Sequence, residues 1–209
     1  MSTYTQSRAT AAAGGGPNHP RPHPNLSAML LAAGHGTRLS PLTELVPKPL
    51  CPVGNTPMID IALRHSYGQT DHTIVNVHGF RDQFEQWCPS GIDLSFENEL
   101  LGTAGGVANV ASWVGDDDLL VINSDALLIG DIGPFVSGWN RETIRLLVTP
   151  DRRRPDFEGV WRFAGASLMP NRAVHDLADG FSDLYRAAWL PAQQVGSLEL
   201  VPFAGWHID

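Results

Sequence analysis

The chain has 209 residues, 43% of them apolar and 17% charged, with a formal net charge of -8. That length supports a buried core, and the acidic balance excludes a broad nucleic-acid footprint while leaving room for a local basic pocket. Cys51 and Cys88 have no metal-ligand spacing and cannot build a disulfide framework, which fits a reducing cytoplasm; no apolar run reaches the roughly 18 residues of a membrane span, and no secretory layout opens the chain.

Residues 1–26 are dominated by the Ala-, Gly-, Pro-, His- and Asn-rich stretch ATAAAGGGPNHPRPHPN, have almost nothing to bury, and read as a disordered tail in which His19 and His23 are polar filler. From there the chain alternates. Residues 27–33 form a short apolar run, a buried strand. Residues 57–67 carry apolar side chains at 58, 59, 61, 62 and 63 behind Pro57, a residue suited to a first helical turn. Residues 72–78 are β-branched and strand-like. Phe80, Phe84 and Trp87 share one helical face. Residues 92–97 alternate as a strand, 103–114 read as one helix despite their glycines, and 118–125 are a second buried strand. A short helix is expected near 134–140 and a strand at 143–149. Beyond 150 the pattern loosens. Residues 160–170 read as one or two strands, 173–193 as helical turns broken at Gly180, and 197–209 return to strand character. Such alternation predicts an α/β fold of three layers, with helices on both faces of a mostly parallel sheet. Ligands of such sheets bind beyond the carboxyl ends of the strands, where the loop after 27–33 and the end of 118–125 both fall.

That first loop reads Gly34-His35-Gly36-Thr37-Arg38. Leu39 occupies the position a third glycine takes in a dinucleotide fingerprint, and no Gly-Lys-Ser/Thr follows. What remains is a glycine-rich turn whose main-chain N–H groups can approach an anion closely. Arg38 adds a planar fork suited to phosphate oxygens. Lys48, between Pro47 and Pro49, is the only lysine; the other thirteen basic residues are arginines. From the turn alone, an anion site and an ordinary βα turn with surface cations read equally well.

The stretch LAAGHGTRLSPLTELVPKPLCPVGNTP resembles the signature of the sugar-1-phosphate nucleotidylyltransferases. ENELLGTAGG at 97–106, VINSDALL at 121–128 and the final AGWHID match further motifs of that family in order, most like its shorter members acting on mannose- or muramate-type phosphates. The resemblance implies a Rossmann-like, glycosyltransferase-A-like domain over 27–209, with a nucleotide-binding half at 27–130 and a sugar-phosphate half at 131–209. It implies transfer of a nucleoside monophosphate from an NTP to a sugar 1-phosphate in the cytoplasm, with Mg²⁺ as cofactor; it leaves oligomeric state open. Leu31, Ala32, Ala33 and Gly34 would line the nucleoside, and Gly36, Thr37 and Arg38 would hold the triphosphate. Lys48 would contact the reacting phosphates, Gly102 and Thr103 would sit near base and sugar, and Asp125 and Asp209 would hold the metal. Arg162 and Gly165 are the candidate sugar-phosphate contacts.

Departures from the pattern matter. Leu100 stands where pyrimidine-specific members often carry glutamine, which tilts the expectation toward GTP or ATP. Ser124 replaces a glycine. No second lysine serves the sugar phosphate, and the chain stops at Asp209, where the family continues with Gly-Thr and a helix, so the domain reads as truncated. These last two features favour the alternative, a non-catalytic sugar-nucleotide-binding subunit. Asp116, Asp117 and Asp118 read as a solvated turn, and Arg152, Arg153 and Arg154 as a solvated loop. Trp113, Trp139, Trp161 and Trp189 read as core. His35 has no assigned role, and His207 shares a face with Asp209 if the end is a strand.

Overall fold

The computed structural model describes residues 23–208. Of the tail expected at 1–26, residues 1–22 lie outside the described residues, as does the expected metal ligand Asp209; Leu26, expected in the tail, is buried and opens the first strand because its side chain joins the core. In chain order the elements are β1 (Leu26–Leu31), three 3-10 turns (Thr37–Leu39, Leu42–Glu44, Lys48–Leu50), β2 (Pro52–Val53), β3 (Thr56–Pro57), α1 (Met58–Leu63), β4 (His72–Val77), α2 (Arg81–Trp87) and β5 (Ile92–Phe96). There follow α3 (Gly102–Asn109), α4 (Ala111–Val114), β6 (Asp118–Asn123), β7 (Leu127–Ile129), α5 (Gly133–Ser137), β8 (Ile144–Pro150), β9 (Trp161–Met169) and α6 (Asn171–His175). A π-helical turn (Tyr185–Trp189) then leads into α7 (Leu190–Gln194), β10 (Leu198–Pro202) and β11 (Trp206–Ile208).

Seven strands form the central sheet in the order β10-β8-β9-β6-β1-β4-β5. All neighbours run parallel except β9, which is antiparallel to both β6 and β8. Strand β1 lacks hydrophobic alternation because both of its faces are covered: Leu26 through Leu30 are all buried. The pleat sends successive residues to opposite sides. Leu120 and Ile122 of β6 join one core with Ile59, Phe84, Phe135 and Trp139, while Leu119 and Val121 join the other with Ile74, Val107, Leu146 and Trp189.

The expected single helix at 103–114 is two, broken at Val110. Its glycines serve close packing. A Cβ on Gly105 would run into the Gly180 carbonyl, and one on Gly106 would meet Asn76 and Glu97. The helix expected near 134–140 is confined to Gly133–Ser137, and 160–170 form one strand.

Chain order reverses beside β1. Strands β4 and β5 lie on one side of it, and the chain then returns to place β6 on the other. Leu31 pairs with Asn123, so the segments leaving β1 and β6 emerge side by side at the switch point, where open α/β sheets bind ligands.

Candidate active site

At that switch point lies a cavity of about 260 Å³. The turn after β1 contributes Leu31, Ala32, Ala33, Gly34 and Gly36. The third 3-10 turn contributes Lys48 and Pro49, and Leu100, Gly102 and Thr103 come from the head of α3. Asn123, Ser124 and Asp125 close it from the end of β6, and Asn76 from β4.

Local chemistry explains how these pieces hold together. Gly36 sits in the left-handed region, with φ +62, and a Cβ there would meet Lys48 Cβ at 2.7 Å. The glycine thus lets the lysine stem pass directly over the turn. Lys48 Nζ, on a side chain only 15% exposed, reaches Asp125 Oδ2 at 2.7 Å. Ser124 Oγ donates to the Leu31 carbonyl and the Ser124 N–H does the same, so this serine clips the end of β6 to the end of β1.

A second network fixes the wall formed by the turn after β1 and the head of α3. Asn76 Oδ1 accepts from the Ala32 N–H at 2.9 Å, and Asn76 Nδ2 donates to Glu97 Oε1 at 2.7 Å. Glu97 Oε2 accepts from the Leu101 N–H at 3.0 Å. The buried carboxylate therefore ties the turn after β1 to the head of α3 through one amide. Sequence reasoning assigned neither residue. The signal was available: an asparagine inside a β-branched strand and a glutamate closing another must find partners if buried.

Gly102 begins α3 at φ +72 with the Ser182 backbone so close that any Cβ would clash with its carbonyl. Ser182 O accepts from the Ala104 N–H, and Thr103 Oγ1 accepts from the Leu184 N–H, so this loop is fixed from both sides. Burial pushes the Cys51 thiol up against the opposing pull of Lys48, which keeps it an uncharged packing residue.

Of the anticipated residues, Leu31, Ala32, Ala33, Gly34, Gly36, Lys48, Gly102, Thr103 and Asp125 are brought together here. Thr37 and Arg38 are exposed and line none of the cavity; Arg38 makes no hydrogen bond or ion pair among the described residues. Arg162 is turned to Asp151 at 3.5 Å. Gly165 is buried at φ +93 against Ala126 and Asn123, behind the end of β6. Asp117 accepts from Ser27 Oγ, and Asp118 pairs with Arg141, so two of the three consecutive aspartates have structural partners. Arg152, Arg153 and Arg154 are exposed. Trp139 and Trp189 are core, whereas Trp113 and Trp161 are half-buried.

No group of three or more His, Cys, Asp or Glu side chains gathers for a metal among the described residues. A hard cation such as Mg²⁺ is commonly held by one or two carboxylates together with substrate phosphates and water. Asp125, partly exposed beside the cavity, is such a carboxylate.

Known proteins resemble this chain in sequence and in fold. The family model described as nucleotidyl transferase matches residues 27–160. A mannose-1-phosphate guanylyltransferase of Mycobacterium tuberculosis is 33% identical over 118 residues, covering 53% of this chain and 33% of the relative. An N-acetylmuramate alpha-1-phosphate uridylyltransferase of Neisseria meningitidis is 34% identical over 110 residues, covering 49% of this chain and 48% of the relative. The chain thus matches between about a third and a half of the length of these relatives. Among solved structures, HddC from Yersinia pseudotuberculosis superposes with a TM-score of 0.71 at 19% identity, over 88% of this chain and 92% of that one, a likeness of fold.

Proposed function

The chain belongs to the nucleotidyl transferase family, and from that premise we propose that it transfers a nucleoside monophosphate from an NTP to a sugar 1-phosphate, releasing pyrophosphate. The observation that carries this reading is the meeting of a glycine-rich turn, one buried-stem lysine and one carboxylate around a single cavity at the switch point. A sugar-phosphate oxygen attacks the α-phosphorus in line with the leaving group. One P–O bond forms, the α–β P–O bond breaks, and the electron pair departs with pyrophosphate. The attacking oxygen is already ionised, so no general base is needed. The demand on the protein is alignment and charge neutralisation. Two unit charges at about 4 Å repel by about 4 kcal/mol at an effective dielectric near 20. In this reading Lys48 offsets that repulsion, the backbone N–H groups of the turn hold phosphate oxygens, and exposed Arg38 meets the departing pyrophosphate. Asp125 would hold Mg²⁺, which when bound supplies positive charge to the phosphate oxygens.

Leu100 lines the cavity and cannot hydrogen-bond a pyrimidine, which supports GTP or ATP as donor. The test is a matrix of the four NTPs against a panel of sugar 1-phosphates, with and without Mg²⁺, read by pyrophosphatase-coupled phosphate release. Metal-dependent release with a purine nucleotide is expected. Tight nucleotide binding with no release in any combination would overturn the transferase reading and leave a sugar-nucleotide-binding subunit.

A further inference from the structure

Two cavities meet at the end of β6. The second, of about 170 Å³, shares Leu31, Thr103 and Asn123 with the first. Of these three, Leu31 is apolar, and Thr103 Oγ1 already accepts from the Leu184 N–H. Asn123 differs from both. It closes β6 beside Leu31 of β1, half-buried, and its carboxamide makes no hydrogen bond among the described residues. The pleat sets its direction. Leu119 and Val121 join the core on one side of the sheet, and Asn123 comes next in that alternation. Val121 lines the second cavity as well, together with Phe163 and Trp189, whose ring centroids lie 4.5 Å apart. A free amide therefore stands on accessible wall that belongs to both cavities.

The two cavities suit different groups. The first holds the glycine-rich turn and Lys48, which match phosphate oxygens. Among the described residues, no lysine or arginine lines the second, and its aromatic wall suits the C–H faces of a sugar ring. A six-membered ring has room there, since a cavity of about 150 Å³ admits benzene. A carboxamide both donates and accepts, as a sugar hydroxyl does, so the two are matched partners. With the ring in the second cavity, the phosphate on C1 must pass the junction to reach the first. C1 has two ring neighbours, the ring oxygen and C2, and only C2 carries a hydroxyl.

We propose that Asn123 holds the C2 hydroxyl of the acceptor at the junction of the two cavities and so fixes the approach of its phosphate to the NTP. The proposal rests on the transferase reading of the first cavity. It gives the one unengaged amide at the junction a partner that matches it as donor and acceptor.

The test uses three compounds. 2-Deoxyglucose 1-phosphate is the C2-deoxy counterpart of both glucose 1-phosphate and mannose 1-phosphate, so the set presents the hydroxyl in either orientation or not at all. In the wild type, pyrophosphate release should favour one of the two hydroxylated sugars over the deoxy sugar by about tenfold or more in kcat/KM, because a site that hydrogen-bonds a hydroxyl rejects the analogue lacking it. Asn123→Ala should erase most of that preference by slowing the hydroxylated sugar, with the deoxy sugar and the KM for the NTP nearly unchanged. Its melting temperature should match the wild type, since no hydrogen bond within the protein is lost. A purely structural asparagine would instead lower the melt and slow all three sugars alike, which overturns the proposal. A deoxy sugar used as well as both parents, or a preference that survives in Asn123→Ala, overturns it too and leaves the transferase reading intact. If no sugar releases pyrophosphate with any NTP, the transferase reading falls and calorimetric binding of the same three compounds decides. Tighter binding of glucose 1-phosphate or mannose 1-phosphate than of the deoxy sugar, lost in Asn123→Ala, sustains the role of Asn123; equal binding or none removes it.

Discussion

Lys48 Nζ stands 2.7 Å from Asp125 Oδ2, joining residues 77 apart across the mouth of the cavity. The carboxylate is 36% exposed, so the pair adds only about 0–1 kcal/mol to stability. Function and folding can therefore be separated at this point. Lys48→Ala is expected to lower turnover by about a hundredfold or more, as when a preorganised charge contact is removed, with an almost unchanged melting temperature. Pyrophosphate release and a circular dichroism melt check both halves, and retained turnover would take Lys48 out of the site. Asp125→Asn should keep the fold and lose Mg²⁺-dependent activity; an unchanged metal dependence would exclude it as a ligand.

The contact between Gly36 and Lys48 makes a separate prediction. Gly36→Ala places a Cβ 2.7 Å from Lys48 Cβ at φ +62. Left-handed backbone costs a residue with a side chain about 1–2 kcal/mol, and here the lysine stem must also shift away from Asp125. Turnover should fall well beyond what the lost stability explains. Gly54 supplies the control, because its φ is +64 but nothing lies within 4 Å of a Cβ there. Gly54→Ala should lose similar stability and keep its activity. Equal activity losses in the two variants would show that backbone strain alone is responsible.

These residues also show how much the sequence disclosed. Order along the chain placed the turn after β1 and the end of β6 at one edge of the sheet, and the family-like motifs marked Lys48 and Asp125. Periodicity found most of the strands because a buried run of β-branched side chains is local information. It missed the break at Val110 and the purpose of Gly105 and Gly106, because the groups those glycines admit come from Gly180, Asn76 and Glu97, remote in sequence. Residues 197–209 had strand character, but the pairing of β11 with β7 was invisible, since each strand has three residues and its partner is about eighty positions away. Arg162, a candidate for the sugar phosphate, lies 3.5 Å from Asp151, a neighbour that a strand assignment alone does not disclose.

Glu97 tests the network behind the wall proposed to hold the nucleoside. Its two oxygens accept from two donors, Asn76 Nδ2 and the Leu101 N–H. In Glu97→Gln one arm becomes an NH₂ facing a donor, so one bond is lost and a buried group is left unpaired, at about 1–3 kcal/mol. The damage falls on the turn and loop proposed to hold the nucleoside, not on Lys48 or Asp125. KM for the NTP should therefore rise about tenfold or more while kcat changes less, the mark of lost uniform binding. An equal fall in kcat with KM unchanged would contradict this role.

Arg145 carries a prediction about stability alone. Its guanidinium, on a side chain 7% exposed, grips Glu199 of β10 through Nε at 2.8 Å and Nη2 at 3.0 Å. It also donates to the carbonyls of Phe135 and Gly138 at the α5 end. Arg145→Met keeps the apolar stem but leaves both carbonyls and the carboxylate unmatched. A loss of about 2–4 kcal/mol is expected in urea denaturation, in the lower range for breaking a buried pair because Glu199 is 40% exposed. A loss below about 1 kcal/mol would mean that water replaces these bonds freely.

His65 makes stability depend on pH. Its Nε2 lies 3.0 Å from the Leu128 carbonyl, so that nitrogen carries the proton in the neutral ring. Burial lowers its pKa below the ordinary histidine value, outweighing the opposing pulls of Leu128 and Asp131. The unfolded chain, with a pKa of about 6.5, then binds more protons than the native state in the window below that value. His65 therefore contributes its full stability above about pH 6.5 and loses it as pH falls toward the depressed folded value. His65→Gln can still donate to Leu128 but cannot titrate. Urea midpoints measured from about pH 5 to 8 should decline on acidification more steeply for the wild type than for this variant. Parallel profiles would assign the acid sensitivity to other groups and show that protonating His65 costs the fold nothing.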